Sequence, residues 1–160
     1  MLRLALTKGR LEKKTLELLK KSGMDVDELY SGSRKLIYKI PDANLEILLA
    51  KAADVITYVE HGACDMGVVG KDTIMEQGDS FYEIMDMGFG KCRFALAVMR
   101  DTDFYGTYRT RRIATKYPNV AKRYFSKKGI DVDVIKIDGS VELAPLIGIA
   151  DGIVDIVETG

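Results

Sequence analysis

The sequence predicts an α/β protein of two lobes, with largely parallel sheets and a ligand cleft between the lobes. Two observations carry this. Short apolar runs of strand length alternate with amphipathic stretches of helix length along the whole chain. In the second half, Arg112–Thr115, Val132–Ile137 and Ile153–Val157 are separated by two helical patterns, which is a βαβαβ run. The first half makes a similar unit, and the division falls near residues 88–92. The expected lobes are therefore 1–90 and 91–160, with ligands at the carboxyl ends of strands.

The elements follow in order. Leu2–Leu6 reads as the first strand. Leu11, Leu16, Leu18 and Leu19 among Glu and Lys then read as an amphipathic helix ending near Gly23. Lys35–Ile40 and Leu45–Ala50 are two strands around a turn at Pro41-Asp42. Asp54–His61 is helical and closes at Gly62. Asp65–Val69 is a strand, followed by Gly70-Lys71-Asp72 and a short helix to Gly78. Tyr82–Met87 and Cys92–Met99 read as further strands, and the polar stretch from Arg100 to Arg111 as an exposed loop. Pro118 suits the first turn of a helix running to Gly129. Ser140 is placed to cap a helix whose apolar face is Leu143, Leu146 and Ile147.

Composition narrows the function classes. Among 160 residues, 24 Lys+Arg balance 24 Asp+Glu, so no global basic field awaits nucleic acid or an anionic membrane. Arg109, Arg111 and Arg112 form one local basic cluster. With a single histidine, His61, and two cysteines, Cys64 and Cys92, outside any CxxC pair, a Cys/His zinc site is nearly excluded. Both cysteines are expected to be small buried residues, and His61 a helix-end residue bonded to a carbonyl or solvent. The N-terminal stretch lacks an apolar core of signal-peptide length, and no run approaches a membrane span. The expected setting is cytoplasmic.

Chemistry is sought just past each strand. After the first comes "TKGR". A glycine between Lys8 and Arg10 at a strand-to-helix turn fits an anion site, with backbone amides at the helix start, plus Lys8 and Arg10, facing the ligand; a surface turn with solvated charges is the competing explanation. "DMGVVGKD" places Gly67 inside a strand, which implies a close approach, and Gly70 at its end. GxxG is a weak motif, and tight packing is the favoured explanation of this pair. "KYPN", "DGSVE" and "DIVETG" end three further strands with a cation, hydroxyl or glycine turn. Together, five such turns suit a ligand with several phosphates. Glu158 or Asp155 would accept a sugar diol, and Arg34 is a further phosphate candidate. No Ser/His/Asp arrangement and no Walker spacing is present.

These motifs resemble the ATP phosphoribosyltransferase family, in its short form. The resemblance runs along essentially the whole chain and is carried by "LALTKGRL", "DVITYVEHGACDMGVVGKD", "RIATKYPN" and "GSVELAPLIGIADGIVDIVETG". It implies transfer of phosphoribosyl from 5-phosphoribosyl 1-pyrophosphate to N1 of ATP, the first step of histidine biosynthesis. It implies Mg²⁺ travelling with the substrates, without a dedicated protein site. It implies Arg10 and Arg34 at the reaction centre. Lys8, Gly9, Asp155, Glu158, Thr159 and Gly160 would hold phosphoribosyl pyrophosphate, and Gly70, Lys71 and Asp72 would lie near the nucleotide. The implied fold resembles the type II periplasmic binding proteins. The implied partners are further copies of the chain and a regulatory subunit resembling histidyl-tRNA synthetase, with no nucleic acid and no membrane. Histidine is not expected to regulate this chain alone. The family signature continues past Gly160, so the 160-residue form is expected to bind phosphoribosyl pyrophosphate weakly and turn over slowly or not at all. The alternative from another class is a non-catalytic module that binds a phosphorylated small molecule.

Overall fold

The computed structural model describes residues 1–31, 34–78, 80–106 and 108–158. The chain divides into two compact units, Met1–Gly90 and Lys91–Gly160.

The first unit runs β1 (Leu2–Thr7), α1 (Arg10–Lys21), a 3-10 turn at Asp27–Ser31, β2 (Ile37–Ile40), a second 3-10 turn at Pro41–Ala43, β3 (Leu45–Ala50), α2 (Ala52–Glu60), β4 (Met66–Val68) and α3 (Lys71–Gln77). The strand order is β2-β3-β1-β4. Strand β1 is parallel to both β3 and β4, and β2 is antiparallel to β3. The antiparallel pair follows from the short turn, where Asn44 adopts φ 49° and donates its N–H to the Pro41 carbonyl at 2.9 Å. Alternation along β1 sends Leu4 and Leu6 to a core shared with Leu16 of α1, and Ala5 to a core shared with Val55 of α2. The two helices therefore cover opposite faces. Gly67 marks a close approach, and the approaching group belongs to α2: a Cβ there would sit 2.6 Å from Val55 Cγ1 and 3.2 Å from Val59 Cγ2.

The second unit repeats the plan with β5 (Arg93–Val98), β6 (Arg111–Thr115), α4 (Pro118–Lys127), β7 (Val132–Lys136), α5 (Leu143–Leu146) and β8 (Gly152–Val157). Its strand order is β5-β8-β6-β7, with β6 parallel to β7 and β8, and β5 antiparallel to β8. Ile113 packs with Ala121 and Phe125 of α4, whereas its neighbour Ala114 packs with Ala144 of α5. Each unit is thus a mostly parallel mixed sheet with helices on both faces.

Three expectations about the elements need correction. Tyr82–Met87 is not a strand: its residues join no ladder, and Tyr82, Ile84 and Met85 are exposed. A short apolar run makes a strand only where a neighbouring edge is there to pair with it. The apolar face expected on α5 points outward, since Leu143, Leu146 and Ile147 are all more than half exposed. The helix is a single turn, so its buried residues are the small Ala144 and the flanking Val141 and Ala150. No Ser140 side chain caps it; Ser140 contributes its carbonyl, which accepts the Leu143 N–H at 3.3 Å. Cys64 is buried as expected, but Cys92 is exposed. Burial raises the Cys64 thiol above its ordinary pKa, against the opposing charge of Arg3.

Candidate active site

The first sheet places its functional candidates by strand direction. Strands β1, β3 and β4 run parallel, so Lys8-Gly9-Arg10, Lys51 and Gly70-Lys71-Asp72 all follow the same edge. Strand β2 runs the other way and pairs Ile37 with Leu48. Its approach, carrying Arg34, is therefore at that edge too. After β1 the chain moves to the β3 side through α1; after β3 it returns across to β4 through α2. The exit of β1 is consequently a switch point, the place where open α/β sheets leave a crevice for ligands.

Lys8, Arg10, Arg34 and Lys51 are exposed at this edge. Among the described residues no ion pair engages Arg34. Lys51 was missed in the sequence, where it reads as one more residue between a strand and a helix. The signal that could have found it is its position: it is the N-cap of α2 and follows Ala50, which lies in register with Thr7. Lys71 pairs with Glu83, and Asp72 folds back so far that a Cβ on Gly70 would overlap its carboxylate. The Gly70 φ of −69° is open to any residue, and the group a Cβ would meet is the movable end of the Asp72 side chain.

The "TKGR" turn differs from expectation in one respect. The amides at its start do not face outward: Lys8 N–H is given to the Ala50 carbonyl at 3.0 Å and Gly9 N–H to Glu12 Oε2 at 2.9 Å. Gly9 itself has φ 104° and ψ −129°, a left-side conformation that favours glycine. What the turn presents is therefore its two side chains, Lys8 and Arg10, with the first-turn amides of α1, which no N-cap side chain covers.

In the second sheet, β6, β7 and β8 exit along one edge, bringing Lys116, Asp138-Gly139-Ser140, Asp155 and Glu158 to it. The switch point here lies between β6 and β8, because α4 carries the chain from β6 to β7 on one face and α5 brings it back from β7 past β6 to β8 on the other. Asp155 is half-buried, in register with Ala95, and one of its oxygens accepts the Ile156 N–H at 2.8 Å. Glu158 is exposed at the strand exit. Thr159 and Gly160 lie outside the described residues.

Two other sequence candidates are structural. His61 ends α2 with Nδ1 2.9 Å from the Thr57 carbonyl. The Arg109, Arg111 and Arg112 cluster is no open basic patch: Arg111 is buried and donates to the Phe104 and Asp103 carbonyls, Arg109 pairs with Asp151, and Arg112 donates to the Gly148 carbonyl and, through its N–H, to Asp151. Among the described residues no group of three or more His, Cys, Asp or Glu could hold a metal ion, and no helix is long and apolar enough to cross a membrane.

A family model for "HisG: ATP phosphoribosyltransferase" matches residues 51–160. The chain belongs to the ATP phosphoribosyltransferase family. It is 55% identical over 159 residues to an ATP phosphoribosyltransferase of Clostridium kluyveri, across 99% of this chain and 73% of that protein. It is 57% identical over 160 residues to one from Clostridium novyi, across 99% of this chain and 76% of that protein. Among solved structures it is similar to the ATP phosphoribosyl transferase (HisG:HisZ) complex from Thermotoga maritima, with TM-score 0.84 and 37% identity over all of this chain and 76% of that one. The family membership agrees with what the strand exits offer: cations at the first switch point, and carboxylates with Lys116 and Ser140 at the second, with no histidine at either.

Proposed function

We propose that this chain transfers phosphoribosyl from 5-phosphoribosyl 1-pyrophosphate to N1 of ATP, releasing pyrophosphate, as the first step of histidine biosynthesis. The observation that carries this is the cationic switch point of the first sheet, Lys8 and Arg10 with Arg34 at one edge, in a chain of this family. The lone pair of N1 forms the bond to C1 of the ribose. The C1–O bond breaks, and its electron pair leaves on pyrophosphate. Both reactants are polyanions, so binding and alignment dominate the barrier, and the departing pyrophosphate needs positive charge aimed at it. Arg10 and Arg34 would supply that charge, with Lys8 on the same anion. Gly70, Lys71 and Asp72 would border the adenine nucleotide, with Lys71 leaving Glu83 for a phosphate. Asp155 and Glu158 would accept the ribose hydroxyls, with Thr159 and Gly160 at the 5-phosphate. Mg²⁺ would travel with the substrates, without a dedicated protein site.

The same proposal extends to assembly and setting. By its likeness to a complex of HisG with HisZ, this chain would form a hetero-oligomer with a regulatory subunit resembling histidyl-tRNA synthetase, and would also self-associate, in the cytoplasm. The finer likeness to type II periplasmic binding proteins is part of it. The test is pyrophosphate release that requires both ATP and phosphoribosyl pyrophosphate. Binding of either without release would instead support a non-catalytic module.

A further inference from the structure

We infer that Glu12 is a positioning residue for this reaction, holding the turn that presents Lys8 and Arg10; the inference rests on the function proposed above. The exit of β1 is pinned at three successive residues. Thr7 Oγ1 donates to the Val68 carbonyl at 3.0 Å, Lys8 N–H to the Ala50 carbonyl at 3.0 Å, and Gly9 N–H to Glu12 Oε2 at 2.9 Å. The first two tie the turn to the neighbouring strands β4 and β3. The third depends on one side chain, and it holds the peptide with the unusual backbone, φ 104° and ψ −129°.

The chemistry suits the place. Glu12 is the third residue of α1, where a carboxylate reaching back to the N-cap amide forms half of a capping box and sits favourably at the positive end of the helix. The other half is missing, because the N-cap Gly9 has no side chain and no N-cap oxygen covers the first helical turn. Glu12 thus steadies the turn from behind while leaving its outer side to Lys8 and Arg10. A carboxylate this near an anion site would, through charge alone, repel the substrate. Position and charge therefore predict opposite signs when Glu12 is removed.

The experiment compares Glu12→Ala, Glu12→Gln and Glu17→Ala by steady-state pyrophosphate release. Glu17 is an exposed carboxylate of the same helix, 3.7 Å from Lys14, and controls for the lost charge. Glu12→Ala is expected to lower kcat about tenfold, as a misplaced catalytic cation does, with the KM for ATP little changed. Glu12→Gln keeps an oxygen for the Gly9 N–H and is expected within about threefold of the parent; Glu17→Ala should match the parent. A Glu12→Ala enzyme as fast as the parent or faster would overturn the inference, as would a Glu12→Gln enzyme as slow as Glu12→Ala. Should the parent release no pyrophosphate, calorimetry with inorganic pyrophosphate decides on Glu12 separately. Weaker binding in Glu12→Ala, recovered in Glu12→Gln, supports the role; equal or tighter binding in Glu12→Ala overturns it.

Discussion

Two groups of cations in this chain look alike in sequence and differ in the fold. Arg109, Arg111 and Arg112 are adjacent along the chain and form its densest basic cluster, yet carbonyls and Asp151 take all three. Lys8, Arg10, Arg34 and Lys51 are scattered over more than forty positions, yet strand direction brings them to one edge at a switch point. The first group holds the second unit together. The second group faces solvent where a polyanion would bind. Basic residues gathered by topology are better evidence for a site than basic residues gathered by sequence, because the fold has already spent the latter.

That contrast breaks first at Arg111. It is 6% exposed, donates to the Phe104 carbonyl at 3.0 Å and the Asp103 carbonyl at 2.7 Å, and lies 5.6 Å from the centre of the Phe104 ring. Arg111→Met should lower unfolding stability by about 3 kcal/mol, since two charge-assisted bonds go and two carbonyls lose their partner. Turnover per folded molecule should stay near the parent's. Chemical denaturation with a matched kcat measurement checks both halves; an unchanged midpoint would place Arg111 outside the structural group.

Arg10→Ala and Arg34→Ala should do the reverse. Charge-assisted bonds to phosphate are worth about 1.5–3 kcal/mol each, so kcat/KM is expected to fall about 10- to 100-fold. Unfolding stability should move by less than about 1 kcal/mol, as for exposed positions generally. Kinetics on each variant with its melting curve tests this. A loss confined to the melting temperature would move that arginine into the structural group.

Much of the fold was legible because period and punctuation agree. In β1, Leu4 and Leu6 alternate with Ala5 to serve two cores, and Gly9 with Arg10 marks the helix start. The pairings that matter most were not legible from local pattern. Arg34 shares an edge with Lys8 and Arg10 only because β2 runs against β3, and Lys51 joins them only through the register of Ala50 with Thr7. Tyr82–Met87 has a strand's length and apolar content without a neighbour, and the apolar residues of α5 sit on a helix too short to turn them inward. The Gly9 amide was assigned to a ligand because Glu12, three residues on, was read only as part of an amphipathic helix. Each miss is a partner that lies outside the window in which the pattern was judged.

The smallest expected effect sharpens the comparison by pH. Asp151 stands at the amino end of β8 and accepts from Arg109 Nη1 at 3.2 Å and from the Arg112 N–H at 2.8 Å. Burial by itself raises its pKa, but the hydrogen bonds from Arg109 and Arg112, with the charges of Arg109 and Arg111, outweigh burial and hold the carboxyl below its ordinary range. The native state therefore favours the ionised form more than the unfolded chain does. The resulting stability is complete above the unfolded carboxylate pKa, about 3.9, and is lost as pH falls through the lower folded value. Asp151→Asn should accordingly melt a few degrees below the parent near pH 7, at roughly 4 °C per kcal/mol for a chain this size. That gap should narrow as the pH drops below about 4, where the parent's own carboxylate takes up its proton. Melting curves over that range check it, and a gap of constant size would mean that shape rather than charge joins Asp151 to its arginines. The kcat/KM of Asp151→Asn should follow the parent's at every pH where both are folded, because Arg109, Arg111 and Arg112 are engaged by Asp151 and backbone carbonyls of their own unit.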